Sequence, residues 1–292
     1  MRPIGSLAVA LLFVVCAGHT AESVVPQSRD HVYVAVADRR GRPVKNLSAA
    51  DFAIEIDDRP QEILSVAPAT EPLSIVLLTG RLGLQTYTHV DVHGALSSFV
   101  GGIRRAVPQS RFALTTFDGP VVRLASFGAP PAELDRLLGR LTTLAEGAAL
   151  LDALTDACTL IGTAPTRRRV ILLVFAAYRP DISTATPELV GAMLQASGAS
   201  LWTIEARVSG ENAFGQVNRE LVVDRGTGIT GGRRDIVASA VGVERMAREM
   251  ASLIASQYQV TYGPGAGSAS SQRKVMVQRP DVRVYAPAWL TK

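Results

Sequence analysis

Cysteine is nearly absent: the chain has two among 292 residues. One of them, Cys16, lies in the N-terminal segment, so removal of that segment leaves Cys158 as the only thiol. A single thiol forms no internal disulfide, and the fold stands on its core alone. No Cys and His set has the spacing of a structural zinc site. Aromatics are also scarce, at 5%, which argues against base-stacking platforms and aromatic sugar sites. A strong charge of one sign is missing too. The net charge is +4, and the basic residues, nearly all arginine, are scattered among acids rather than clustered. That balance excludes a dedicated nucleic-acid binder. Beyond the N-terminus no hydrophobic run is long enough to cross a bilayer.

What remains is an ordinary globular composition, 47% hydrophobic and 19% charged. The length suggests two domains of about 150 residues each, with on the order of 70–75% of the unfolded surface buried on folding. The N-terminus has its own character. Arg2 precedes the apolar run from Leu7 to Val15, and small residues (Ala17, Gly18, Ala21) follow before Glu22. A positive start, a short greasy middle and a small-residue exit describe a secretory signal peptide over residues 1–21. The expected location is therefore exported, periplasmic or secreted. An uncleaved signal or a lipid on Cys16 is the membrane-anchored alternative.

Three blocks follow. Residues 30–68 read as a small antiparallel β module. Val32, Val34 and Val36 alternate with Tyr33, Ala35 and Ala37, Ser48 to Asp51 can cap one helical turn, and Asp57-Asp58-Arg59-Pro60 turns the chain. Residues 72–256 change rhythm. Leu73 to Leu78 and Val170 to Phe175 are continuous apolar runs, as expected of strands covered on both faces. Helical spacing is read over 88–106, 131–144, 150–161 and 241–257, with a further start at Thr186-Pro187-Glu188. Two short strands flank Asp118-Gly119-Pro120, and another runs from Leu201 to Val208. Strands alternating with helices predict a doubly wound α/β domain with a mainly parallel sheet. Residues 257–292 hold strands too few to stand alone, so they are expected to pack with the N-terminal module.

The order of these segments resembles the von Willebrand factor type A related proteins of bacterial exported type. The likeness rests on Val34 to Val44 with Leu47 and Asp51-Phe52, on Asp57 to Ile63, on Pro72 to Leu78 as the first domain strand, on Gly147 to Leu154 as the third loop and helix, and on Gln257 to Tyr262. The resemblance implies a metal-ion-dependent adhesion site at the carboxyl ends of the strands. There an Asp-x-Ser-x-Ser loop, a Thr and a further Asp hold a divalent cation through hard oxygen donors. Laid on that pattern, this chain has Gly80 for the first Asp, Leu82 and Leu84 for the two Ser, Ala148 for the Thr and Ala176 for the last Asp. Arg81 adds a positive charge where a cation would sit. The expectation is a degenerate site with no metal and no cofactor.

Other constellations are weaker. His89 and His93 stand at i and i+4 around Asp91, a spacing that can ligate a metal, but no third ligand is evident. Thr230-Gly231-Gly232-Arg233-Arg234 lacks the lysine and hydroxyl of a nucleotide loop and reads as a connection. Arg167-Arg168-Arg169 reads as a solvated edge ahead of a buried strand. Cys158, on the apolar face of 153–160, reads as a small buried hydrophobe. No catalytic set is found. The function expected is an exported, non-enzymatic interaction module. Its candidate face for an unknown protein partner comprises Gly80, Arg81, Leu82, Leu84, Ala148, Ala176, Tyr178 and Arg179. The alternatives are a structural subunit of an envelope complex and an enzyme using His89 and His93.

Overall fold

The computed structural model describes residues 30–80, 92–141, 148–176, 181–206, 216–238, 240–263, 268 and 271–290. Strand β1 (Asp30–Asp38) ends in a turn closed by the Asp38 carboxylate, which accepts from the amides of Arg40 and Arg42 at 2.8 and 2.9 Å. A single 3-10 turn (Ala49–Asp51) is capped as expected, with the Ser48 amide donating to the Asp51 carboxylate at 2.7 Å. Strand β2 (Phe52–Ile56) alternates buried and half-buried residues. It returns as β3 (Arg59–Gln61) through Asp57 and Asp58 alone, both at positive φ. This is the two-residue hairpin whose twist matches its strands, so Arg59 and Pro60 belong to a strand rather than to the turn predicted for them. Strand β4 (Ile63–Pro68) completes this part.

The next elements alternate. They are β5 (Leu73–Thr79), α1 (Val92–Ala106), β6 (Arg111–Thr116), β7 (Val122–Ala125), α2 (Pro131–Leu138), α3 (Leu150–Gly162), β8 (Arg168–Ala176), α4 (Pro187–Ser197), β9 (Ser200–Ala206), α5 (Gln216–Thr230), β10 (Arg234–Val237) and α6 (Ala240–Ala255). Helix α4 starts where the cap, proline and acid predict, with Thr186 Oγ1 accepting from the Leu189 amide at 3.4 Å. Helix α2 is shorter than the 131–144 read from spacing, because Gly139 caps it. Helix α5 was not expected at all. Its two glycines and β-branched residues are poor helix formers, and tertiary packing overrides them. A Cβ on Gly226 would meet Leu194 at 2.8 Å and Leu201 at 3.0 Å, so glycine is what lets α5 approach the sheet.

The strand order β10-β9-β8-β5-β6-β7, parallel except for β6 with β7, is that of a doubly wound sheet whose order reverses beside β5. Strand β5 shows why both faces must be covered. Leu73, Ile75 and Leu77 pack with Leu96 and Phe99 of α1 and Met250 of α6, whereas Val76 and Leu78 pack with Leu154 of α3 and Leu194 of α4. Alternate side chains point to opposite faces, so a strand with helices on both sides is apolar at nearly every position.

Three further strands, β11 (Tyr258–Tyr262), β12 (Arg273–Val277) and β13 (Val282–Tyr285), join the N-terminal ones in two antiparallel sheets, β13-β1-β11-β4 and β12-β2-β3. These enclose a second core of Val32, Val34, Val36, Phe52, Ile54, Ile56 and Tyr258. The intervening residues Ala35 and Ala37 of β1 belong instead to the core shared with α6. Their small side chains let β1 lie close to that helix.

Candidate functional site

The carboxyl ends of β5, β6 and β8 converge where the strand order reverses, which is where a doubly wound sheet opens a crevice. Backbone hydrogen bonds bring three of the expected positions together. Gly80 donates to Val174 O at 3.3 Å, Phe117 donates to Thr79 O at 3.2 Å, and Ala149 donates to Phe117 O at 2.9 Å. Gly80 follows β5, Ala148 precedes α3, and Ala176 ends β8. Of the other residues of the candidate face, Arg81, Leu82, Leu84, Tyr178 and Arg179 lie outside the described residues. So do His89 and Asp91. His93 is exposed on α1, and no group of three His, Cys, Asp or Glu with metal-holding geometry occurs among the described residues.

The space beside Gly80 is taken. A Cβ there would lie 2.3 Å from the edge of the Phe117 ring, which is itself 1% exposed. No side chain fits at Gly80 without moving the aromatic ring.

The sequence reading missed what flanks Ala148. That residue bridges to Asp118 on one side and to Asp181 on the other. In the sequence Asp118 stands out only as the start of the link between two short strands. Asp181 accepts from the Ser183 amide at 2.9 Å through one oxygen, and its other oxygen is buried without a hydrogen-bond partner among the described residues. Ser183 and Asp152 tie the segment after Asp181 to the start of α3 reciprocally. Ser183 Oγ accepts from the amides of Leu151 and Asp152 at 2.9 and 3.2 Å, capping α3 from outside its own chain segment. The Asp152 carboxylate in turn accepts from the amides of Thr184 and Ala185 at 3.1 and 2.8 Å. The sequence signal for this was Asp-x-Ser-Thr at Asp181 to Thr184, a run that favours side-chain-to-backbone turns.

Glycines and charges elsewhere are accounted for by packing. A Cβ on Gly232 would fall 1.7 Å from Leu201 O, and Gly231 has a φ of +70°. This pair lets the chain leave α5 and pass under β9. Arg233 pairs with Asp235, and Arg234 Nε donates to the buried Glu205 at 3.0 Å, so both cations after the glycines are neutralised. Burial pushes the Cys158 thiol up to about 12, which keeps it protonated and unreactive.

The arginine triplet corrects an expectation. Arg168 is not on a solvated edge: it is 1% exposed at the start of β8, a strand paired on both sides. Its guanidinium donates to Ala69 O and Glu71 O at 3.0 and 2.8 Å, to Ile254 O at 2.9 Å and to Gln257 Oε1 at 3.2 Å. Three of these acceptors are main-chain carbonyls, one just after β4, one just ahead of β5 and one in the last turn of α6. A planar fork with five donors can satisfy them together, and that outweighs the cost of burial.

No protein-family model matches the chain, and no curated protein matches it in sequence. Among solved structures it is similar to a von Willebrand factor type A protein from Catenulispora acidiphila, at 13% identity over 82% of this chain and 74% of that one, with a TM-score of 0.47. It is also similar to proximal thread matrix protein 1 from the mussel byssus, solved with a zinc-occupied metal-ion-dependent adhesion motif. That match has 12% identity over 68% of this chain and 49% of that one, and a TM-score of 0.49. The PilB minor pilin from Streptococcus sanguinis matches at 10% identity over 64% of this chain and 62% of that one, with a TM-score of 0.49. The chain spans less than two thirds of either of the last two.

Proposed function

We propose that the chain is an exported, non-enzymatic interaction module whose crevice face binds a protein partner by direct side-chain contact, without a bridging cation. The observation that carries this reading is the Phe117 ring packed against Gly80, the position at which the resemblance implies the first metal-binding aspartate. The residues around the crevice do not fit the oxygen-rich site of that resemblance. Ala148 and Ala176 supply no side-chain oxygen, and Asp118 and Asp181 are two carboxylates where a hard dication takes six or more oxygens.

A partner face needs apolar surface at its centre. Ile182, directly after Asp181, is 55% exposed, and Leu189 at the start of α4 is 50% exposed. Arg81, Leu82, Leu84, Tyr178 and Arg179, outside the described residues, remain candidates for this face from the sequence pattern alone.

The test is capture of a partner from the exported fraction with and without EDTA, beside elemental analysis of the purified protein. The expected result is capture that survives chelator and is weakened by Ile182→Glu, with magnesium, manganese and zinc well below one equivalent. Capture abolished by EDTA, or a stoichiometric dication, overturns the proposal.

A further inference from the structure

At the opposite pole of the sheet, the amino ends of β8 and β9 open onto a cavity of about 490 Å³. One wall is β1 (His31 and Tyr33), so the cavity lies in the seam between the α/β layers and the antiparallel sheets. Seams of this kind are preferred ligand sites, and the volume is in the range of small-molecule pockets.

Among the described residues four arginines line it, Arg167, Arg168, Arg169 and Arg273, against a single acid, Asp30. Glu71, outside the lining, interacts with both Tyr33 and Arg168. None of the four guanidiniums forms an ion pair with a carboxylate among the described residues. Arg168, Arg169 and Arg273 are held by neutral oxygens instead. Arg168 is fixed by the four acceptors already described, its Nε is buried without a partner, and it stands over the Tyr33 ring at 5.6 Å. Arg273 is 6% exposed and donates to Pro287 O at 3.1 Å, to the Tyr262 hydroxyl at 3.2 Å and to Trp289 O at 3.1 Å. With five N–H groups and three acceptors, it retains two donors. Arg169 donates to Thr166 O at 3.2 Å and Ser197 O at 3.1 Å. Arg167 is exposed at the mouth and makes no hydrogen bond to the described residues.

Buried charge is costly unless it is paired. Here the backbone holds the guanidiniums in place without cancelling their charge. The result is a preformed positive cavity, with spare donors on Arg273 and Arg167. His31, in the same wall, is held below its ordinary value by burial first and by Arg167 second, with Arg273 acting in the same direction and Asp30 and Glu71 opposing.

We propose that this cavity is a binding site for a small oxyanion ligand, a carboxylate or phosphate of metabolite size. Carboxylate and phosphate share the chemistry that guanidinium forks recognise. The site is independent of the crevice at the other end of the sheet.

The test is calorimetric titration and thermal unfolding of the full chain with inorganic phosphate in one arm and citrate in the other, each against chloride at matched ionic strength. Saturable binding and a raised Tm are expected in at least one arm, and the stronger arm identifies the ligand's acid group. Arg167→Ala leaves the ligand-free Tm unchanged, since that side chain is exposed and unbonded, and weakens binding by about tenfold. Asp30→Asn acts in the opposite direction and tightens it. No response beyond chloride in either arm, or unaltered affinity in Arg167→Ala, overturns the proposal.

Discussion

The two ends of the six-stranded sheet lie roughly 26 Å apart along β8 and invert the usual division of labour. In doubly wound sheets, ligands bind outside the carboxyl ends of the strands, at the point where strand order reverses. Here that point has an aromatic ring packed against Gly80 and alanines at 148 and 176. The amino end holds guanidiniums around a cavity. Topology decides where a crevice can open, but side chains decide whether it is equipped. A binding role inferred from strand order alone would be assigned to the wrong pole for charged small molecules.

The comparison is best broken at its most constrained residue. Arg168→Ala removes the guanidinium that donates to Ala69 O, Glu71 O and the Gln257 side-chain amide oxygen, and leaves Ile254 O with the Gln257 backbone amide alone, at 3.4 Å. The expected loss is about 3–5 kcal/mol of unfolding free energy, read from urea denaturation, with Arg168→Lys recovering only part of it. A loss below about 1 kcal/mol would mean that water reaches this pole freely.

Gly80→Ala probes the other end. It forces a methyl group into the Phe117 ring and costs about 1–3 kcal/mol, the usual range for overpacking, by the same measurement. An unchanged midpoint would mean that the ring swings away readily and that the crevice is roomier than its packing indicates.

The smallest effect serves as a control that leaves both poles alone. Asp51, in the antiparallel module, is held down at about 2 from an ordinary 3.8, chiefly by the side-chain hydrogen bond from Arg279, whose Nε donates at 2.8 Å, and then by Ser48. Its folded value is depressed, so its contribution to stability is complete above 3.8 and is lost as the pH falls toward 2. Asp38 and Asp57 are lowered as well, by the Arg42 amide and the Ser271 hydroxyl respectively. Tm should therefore fall with acid across this window, and Asp51→Asn should shallow that fall. An identical slope in the variant would remove Asp51 from the account.

Much of the α/β architecture was legible because its strands are apolar on both faces and its helices carry clear stripes. Leu73 to Leu78 could be little else than a central strand, and Thr186-Pro187-Glu188 could be little else than a helix start. Helix α5 was not legible, because its stability comes from close approach at Gly226 rather than from its own pattern. Arg168 was misread for a related reason. Three consecutive arginines look solvated unless one knows that carbonyls from the end of β4, the approach to β5 and the last turn of α6 meet at that spot. The crevice was half legible. The absence of oxygen donors at Gly80, Ala148 and Ala176 follows from the residues themselves, whereas Phe117 filling the gap and Asp118 and Asp181 flanking Ala148 are products of the folded chain.

Strand β1 has a consequence for assembly. Its first half pairs with β11, Asp30 opposite Tyr262, and its second half pairs with β13, Asp38 opposite Val282. Both partners are synthesised more than two hundred residues later, so apart from the local bonds to Arg42 and Val44 this strand must wait for them before its edges are paired. Closing loops of that length is slow compared with local helix and strand formation. In the interval β1 is an open edge, and a ribosome-bound or truncated chain that lacks the residues from Tyr258 onward carries a sticky N-terminal ribbon without its β11 and β13 partners.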